Sequence, residues 1–177
     1  MEIRVERDGD DVAEVHRAAF GGAHGDKVAE LVTALRRDDP ESLSLVAEVD
    51  GQVVGNVMFT RSLLDAPPRL VDVWVLSPLG VLPGHQRQGV GRALVKRGLE
   101  IADEQRVPLV FLEGDPAYYA KAGFRAGGDL GFRKPSLRIP DVAFQVFPLT
   151  AYEPWMTGTL VYSATFWDYD CVGLRDS

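Results

Sequence analysis

The sequence contains a single cysteine, Cys171, among its 177 residues. One thiol can neither form a disulfide within the chain nor build a zinc site, so both kinds of cross-linked scaffold are excluded. The N-terminal residues 1–11 are charged and lack the apolar region of a signal peptide, and no uninterrupted apolar stretch is long enough to cross a bilayer. We therefore expect a cytoplasmic protein with no membrane partner and no bound metal.

Basic side chains are also scarce relative to acidic ones. Lys and Arg number 19 against 26 Asp and Glu, and the net charge at pH 7 is −7. Because the phosphates of nucleic acids select basic protein surfaces, we expect no nucleic acid partner. Any anion site is expected to be local, because a few residues must attract the anion while the net charge of the protein repels it.

The composition is otherwise ordinary for a globular protein, with 46% apolar and 25% charged residues. The length predicts a single domain spanning residues 1–177. Hydrophobic periodicity predicts helices at 10–20, at 26–37, directly after residue 89, and at 115–124. It predicts strands at 2–7, on both sides of an Asp50–Gly51 turn in 44–62, and at 70–82, 107–114, 142–149 and 157–166. This order predicts an α/β fold with a mixed, mostly antiparallel sheet, helices on both faces and one parallel βαβ crossover.

Individual residues predict where some of these elements begin and end. Asp115 is a suitable N-cap for the helix that follows it, and Gly123 is a suitable C-cap. The glycines of 21–25 are expected to separate the first two helices, which places His24 in a loop. Pro78 either shortens the strand predicted at 70–82 or marks a bulge in it.

Residues 84–98, GHQRQGVGRALVKRG, place two glycines immediately before an amphipathic helix. Without Cβ atoms at Gly89 and Gly91, the backbone can approach a ligand closely. The first amides of a helix have no intrahelical acceptor and lie at the positive end of the helix dipole, so they favour a phosphate. Arg87 and Arg92 are placed to add positive charge, although a plain strand-to-helix turn remains the alternative interpretation.

Two common phosphate-binding motifs do not fit this turn. The dinucleotide fingerprint requires a third glycine where Leu94 stands, and no Gly-Lys-Ser/Thr of a P-loop is present. The turn instead resembles motif A of the GNAT superfamily of N-acetyltransferases, whose signature Gln/Arg-x-x-Gly-x-Gly/Ala is filled by Gln86, Gly89 and Gly91 within LGVLPGHQRQGVGRALV.

A second motif, GDPAYYAKAGF, resembles the next helix of the same superfamily. It places Tyr119 four residues before the pair Gly123-Phe124, as that helix does. The resemblance is close from residue 79 to 124 and looser over 44–60 and 142–149, and it implies a GNAT-like sheet with splayed central strands.

The resemblance implies acetyl-CoA as cosubstrate. Its pantetheine arm would pair with the backbone of a bulged strand at Gly80, Val81 and Leu82, and its pyrophosphate would bind the amides of residues 88–93. The cofactor-binding residues implied in this way are Gly80, Val81, Leu82, Gln86, Arg87, Gln88, Gly89, Val90, Gly91, Arg92, Ala93 and Asp115.

Two catalytic groups also follow from the resemblance. Acetyl transfer needs a stabilised carbonyl oxygen and proton transfers at the amine and at the departing thiolate. The family pattern makes Tyr119 the general acid towards the thiolate and the backbone N–H of Val81 the donor to the developing oxyanion. A core tyrosine with a satisfied hydroxyl is the alternative interpretation of Tyr119.

The general base stays open at this stage. Many family members place a carboxylate on the strand before motif A, but Asp72 lies well before the turn, and Ser77 and Pro78 stand near the expected bulge. The remaining candidates are Glu113, Glu48, His24 and a chain of water molecules. An amine of low pKa would need no strong base.

The sequence thus predicts an acetyl-CoA-dependent N-acetyltransferase in which a primary amine of a small molecule or peptide attacks directly in a ternary complex. Two alternatives remain: a non-catalytic acyl-CoA-binding or regulatory module, and an unrelated α/β nucleotide-binding protein. The apolar pattern of 157–166, with Trp155 and Trp167 beside it, also allows a homodimer contact.

Overall fold

The computed structural model describes residues 1–175. Contacts among α-carbons divide the chain into two compact units. The first unit comprises residues 1–60 and 76–98, and the second comprises residues 61–75 and the chain from 99 onward. No helix within residues 1–175 is long and apolar enough to cross a membrane.

Helices and strands alternate along the chain. The α-helices are α1 (Val12–Phe20), α2 (Gly22–Asp38), α3 (Val90–Glu104), α4 (Pro116–Ala120) and α5 (Ala164–Asp168). The strands are β1 (Glu2–Val5), β2 (Leu43–Val49), β3 (Gln52–Asp65), β4 (Leu70–Val81), β5 (Leu109–Glu113), β6 (Arg125–Ala126), β7 (Phe132–Arg133), β8 (Phe144–Pro148) and β9 (Gly158–Val161). Short 3₁₀ turns lie at Pro83–His85, Gly127–Leu130 and Asp141–Ala143.

The first unit is built on an antiparallel ladder in which β2 pairs with both β1 and β3. Asp50 and Gly51 join β2 to β3 with φ angles of 50° and 79°, the left-handed conformation that tight hairpin turns require. The predicted hairpin is therefore confirmed. Asp11 caps α1, because its side chain accepts a hydrogen bond of 3.1 Å from the N–H of Glu14.

Helix α3 packs unusually closely on β3 in the first unit. A Cβ at Gly55 of β3 would lie 3.0 Å from a methyl carbon of Val90 and 3.1 Å from one of Leu94. A Cβ at Gly98 of the helix would overlap the ring of Phe59. Gly55 on the strand and Gly98 on the helix thus allow α3 to approach β3 closely, and this packing fixes where α3 begins.

The second unit has a buried strand, β5, between β4 and β8. β4 runs parallel to β5, with Trp74 opposite Val110 and Val75 opposite Phe111, whereas β8 runs antiparallel to β5. Since α3 lies between β4 and β5 in the chain, this pair is the predicted parallel crossover. A ladder of two residue pairs agrees with the predicted splaying of the central strands.

The predicted fold class, a mixed and mostly antiparallel sheet combined with helices, is confirmed. A second parallel pair, β7 with β9, was not predicted. Each of these strands is too short to give a periodic sequence pattern.

The strand predicted at 157–166 is wrong in its second half. β9 ends at Val161, and residues Ala164–Asp168 form α5. Tyr162 and Phe166 are both buried with ring centroids 5.2 Å apart. This spacing of four residues suits a helix, and a short apolar run does not distinguish the two states.

Two predicted ends also differ. α2 begins at Gly22, so His24 lies on a helix and not in a loop. A Cβ at Gly25 would lie only 2.5 Å from the carbonyl oxygen of Arg17, so the glycine at this position lets α2 pack closely against α1. α4 ends at Ala120 with Lys121 as its C-cap. Gly123 is not the cap, although its φ of 98° explains why a glycine follows the helix.

Candidate functional site

The end of β4 and the turn after it are held together by hydrogen bonds within the first unit. The N–H of Leu82 donates to Val54 O at 2.8 Å, and Leu82 O accepts from the N–H of His85 at 2.8 Å. The side-chain amide of Gln86 donates to Val81 O at 3.0 Å. Both backbone groups of Leu82 are thus already bonded, and the side chain of Gln86 fastens the turn to β4.

The glycine turn has the backbone form of an anion nest. Arg87 and Gly89 have φ angles of 60° and 86°, so left-handed residues alternate along the turn. No atom lies within 4 Å of the place where a Cβ on Gly89 would stand. The first bond of α3 runs from the N–H of Ala93 to Gly89 O at 3.0 Å. The N–H groups of residues 90–92 precede that bond and have no intrahelical acceptor.

Two cations accompany these amides. Arg87 and Arg92 are exposed, and the hydrogen bonds and ion pairs found within residues 1–175 include none made by their side chains. Free guanidinium groups beside unbonded amides make this turn a local positive site on an acidic chain.

His85 lies in the same turn and is only partly exposed. Its Nδ1 atom is buried and has no hydrogen-bond partner within the described part of the chain.

Tyr119 belongs to the second unit and lies on α4. Asp115 caps this helix, its carboxylate accepting a bond of 2.8 Å from the N–H of Ala117. The Tyr119 ring lies against the end of β5, where a Cβ on Gly114 would be 2.8 Å from Cε2. The rings of Tyr118 and Phe124 also lie edge-on to it, with centroids 4.9 and 5.7 Å away. Cap, glycine and phenylalanine together fix the direction of this ring.

The hydroxyl of Tyr119 keeps its proton at neutral pH. Burial raises the pKa of Tyr119 far above its ordinary value, and the neighbouring Tyr118 and Asp115 raise the pKa further. The hydrogen bonds found within residues 1–175 include none to this hydroxyl. The group is therefore a protonated donor without a partner in the described chain.

The three side chains considered as general base have different surroundings. Glu48 is paired with Arg4, whose guanidinium nitrogen lies 2.7 Å from the carboxylate. His24 is exposed on α2, with its ring edge-on to Phe20 at 5.3 Å. Glu113, at the end of β5, accepts bonds of 3.2 and 3.1 Å from the N–H of Gly173.

Glu113 is the carboxylate whose environment favours accepting a proton. Burial raises the pKa of Glu113, opposed in smaller measure by the bond from Gly173 and by the charge of Arg138. The ion pairs found within residues 1–175 include none with this carboxylate. A carboxylate without a paired cation and with a raised pKa suits a proton acceptor.

Sequence reasoning missed a buried polar pair in the first unit. The ring of His16 on α1 is completely buried, and its Nε2 lies 2.7 Å from Oδ1 of Asn56 on β3. The Asn56 amide donates to Ser44 Oγ at 2.9 Å and to Leu45 O at 2.8 Å. A histidine on the apolar face of a predicted helix and an asparagine inside an apolar strand were the available signals.

The partners of Asn56 assign the protonation of His16. The carbonyl of Leu45 can only accept, so the Asn56 nitrogen faces it and the Asn56 oxygen faces His16. His16 Nε2 therefore carries the hydrogen, and Nδ1 carries a lone pair. Burial lowers the pKa of His16 to about 4, so the ring is neutral at physiological pH.

Comparisons with known proteins bear on this site. A family model described as "Acetyltransferase (GNAT) family" matches residues 9–124. The uncharacterized N-acetyltransferase YjhQ of Escherichia coli K12 is 34% identical over 162 residues, covering 88% of this chain and 87% of its own. The uncharacterized N-acetyltransferase YhbS of the same strain is 38% identical over 155 residues, covering 84% and 87%.

Two solved structures are similar over most of the chain. The crystal structure of Escherichia coli YhbS in complex with CoA has a TM-score of 0.81 and 32% identity, and the alignment covers 93% of this chain and 91% of that one. The structure of a GNAT family acetyltransferase from Brucella melitensis in complex with acetyl-CoA has a TM-score of 0.73 and 32% identity, covering 93% and 97%.

Burial of neutral His16 predicts a loss of stability in acid. The unfolded chain takes up a proton on this ring below pH 6.5, whereas the folded chain does so only near pH 4. The free energy of unfolding should therefore fall by about 3 kcal/mol between pH 7 and pH 4 through this group. Urea unfolding at several pH values measures it, with His16→Gln as the control that lacks the titrating ring. Equal pH dependence in both proteins would contradict the prediction.

Proposed function

The chain belongs to the GNAT family of acetyltransferases, and from that premise we propose that it transfers an acetyl group from acetyl-CoA to a primary amine of a small molecule or peptide. The amine attacks the thioester directly while both substrates are bound. The family match runs without interruption from residue 9 to 124, through segments of both units, which supports one acetyltransferase domain over residues 1–177. A cytoplasmic location and a homodimer remain predictions from the sequence.

The observation that carries this proposal is the anion nest at the start of α3. Similar structures were crystallised with CoA and with acetyl-CoA, and the open space at Gly89 leaves room for a diphosphate beside the amides of residues 88–92. The N–H of Ala93, predicted to belong to this set, is already bonded to Gly89 O. The residues therefore fit this cosubstrate, which supplies an activated acetyl group as a thioester. Arg87 and Arg92 would add charge at the phosphates.

The end of β4 would hold the pantetheine arm and the reacting carbonyl. Leu82 already uses both backbone groups within the protein, and Val81 O accepts from the Gln86 side chain. The backbone of Gly80 and the N–H of Val81 are therefore the expected contacts. We assign the oxyanion donor to the N–H of Val81. One such donor contributes about 10²- to 10³-fold to the rate of acyl transfer.

Tyr119 would hold a proton for the departing sulfur. Moving a proton from an unperturbed phenol, pKa about 10, to a thiolate, pKa about 8.5, is unfavourable by about 2 kcal/mol. The buried position of Tyr119 increases this difference. The hydroxyl is thus proposed to stabilise the thiolate as a hydrogen-bond donor and to complete proton transfer as the thiolate leaves.

Glu113 would receive the proton of the attacking amine. Its raised pKa and lack of a paired cation support this role, whereas Glu48 is neutralised by Arg4. The ring of Tyr119 contacts Gly114, the residue next to Glu113. Both proposed proton-transfer groups thus belong to the second unit, Glu113 at the end of β5 and Tyr119 on α4.

Gly89→Glu should abolish coenzyme A binding. The substitution adds bulk and negative charge at the amides, and it strains a residue with a φ of 86°. The matched control is Gly9→Glu, because Gly9 is also exposed, has a φ of 95° and has open space around it. Isothermal titration calorimetry with coenzyme A should detect no binding for Gly89→Glu and normal binding for Gly9→Glu. Equal affinity of both variants would refute the nest.

Tyr119→Phe should lower kcat by about 10²-fold while changing the acetyl-CoA dissociation constant less than threefold. The ring stays in place and only the donor is lost. Tyr118→Phe is the control and should keep the wild-type kcat. Thiol release with a panel of primary amines gives the rates. Wild-type protein that binds acetyl-CoA tightly and turns over no amine would instead favour a non-catalytic module.

Glu113→Gln should remove the rise of kcat/KM at the lower pH values, which comes from ionisation of the Glu113 carboxyl group. The amide can still accept the bond from Gly173, so the local structure is kept while the proton acceptor is lost. Activity of the wild type should rise as the pH passes the raised pKa of the carboxyl group and it becomes ionised. Ionisation of the amine substrate contributes equally to the profiles of the wild type and of Glu113→Gln. Parallel profiles would exclude Glu113 as the base.

A further inference from the structure

His16 has one ring nitrogen that the chain leaves without a partner. Nε2 donates to Asn56, but Nδ1 is fully buried and makes no hydrogen bond among residues 1–175. A buried polar atom without a partner costs about 1–3 kcal/mol. Such a group requires an explanation beyond filling the core.

The unpartnered nitrogen faces the backbone of β4. A Cβ at Gly80 would lie 2.6 Å from Nδ1 and 3.0 Å from Cε1 of the ring. The imidazole therefore occupies the space that a side chain at position 80 would need. An α-hydrogen of Gly80 takes the place of that Cβ and is therefore directed towards Nδ1.

The ring itself cannot move freely, because three elements hold it. It is carried by α1, it donates to Asn56 of β3, and Asn56 is fixed by Ser44 and Leu45 of β2. The ring of Phe20 stacks on it with centroids 6.1 Å apart. His16 is thus a rigid support with one side pressed against Gly80.

We propose that His16, oriented by Asn56, is a positioning residue that sets the backbone of Gly80 and Val81 for acyl transfer. This inference rests on the proposed function, because it takes the N–H of Val81 as the oxyanion donor. His16 acts only through the backbone and does not exchange a proton during the reaction. Displacing such a donor by about 1 Å costs about 10²-fold in rate.

No other side chain reproduces this support. Phenylalanine would keep a ring at Gly80 but would leave the oxygen of Asn56 buried without a donor. Glutamine can place an N–H near the position of Nε2 and so can satisfy Asn56, but it presents no ring to Gly80. His16→Gln therefore removes the support while keeping the buried hydrogen bond, which favours a folded variant.

The functional test compares His16→Gln with Val12→Ala, which truncates another buried side chain of α1. We expect His16→Gln to lower kcat 10- to 100-fold, with an acetyl-CoA dissociation constant within threefold of the wild type, because the nest is untouched. Val12→Ala should lose thermal stability and keep the wild-type kcat. A His16→Gln kcat within twofold of the wild type, or an equal kcat loss in Val12→Ala, would overturn the proposal.

The structural test needs no turnover. In NMR spectra of the free protein, His16→Gln should shift the amide signal of Val81 and leave those of residues 89–93 unchanged. Gly80→Ala should lower the melting temperature more in the wild type than in a His16→Ala background, where the Cβ has room. Equal losses in both backgrounds, or an unmoved Val81 signal, would overturn the contact. Absence of any acetyl transfer by the wild type would instead count against the proposed function.

Discussion

The packing of α3 onto β3 is the contact on which the first unit depends. Gly55 and Gly98 omit side chains that would hold the helix away, and Val90, Leu94 and Phe59 fill the contact. Interiors packed at this density resist small displacements. The start of α3 is therefore fixed, and so are the unbonded amides of its first turn. Donors that are already in place when a phosphate arrives lose little entropy on binding it.

The elements that could be predicted are those whose signal is local. The sequence signal of the long periodic segments and of the Asp50–Gly51 turn lies within a few neighbouring residues. These elements were therefore predicted with errors only at their ends. The region 157–166 was partly wrong because short apolar runs suit either state. β6 and β7 have two residues each, and they form only because longer strands lie beside them.

The site shows the same division. The turn before α3 and the helix α4 were predicted because glycines, a capping aspartate and Tyr119 stand at fixed spacings in continuous sequence. His16 and Asn56 are 40 residues apart and Glu113 and Gly173 are 60 apart, and nothing local indicates that they meet. Burial lowers the pKa of the histidine and raises the pKa of the carboxyl group, and the bonds to Asn56 and Gly173 partly oppose these shifts.

The nest consists of main-chain groups, and this has an evolutionary consequence. The exposed side chain at position 88 can change to any residue except proline without removing an amide, provided that Gly89 keeps its left-handed conformation. On the proposed function, recognition of the acyl donor by these amides would therefore tolerate substitutions of the neighbouring exposed side chains. Acceptor specificity can then change through residues elsewhere in the chain, so that related enzymes share one donor site and modify different amines.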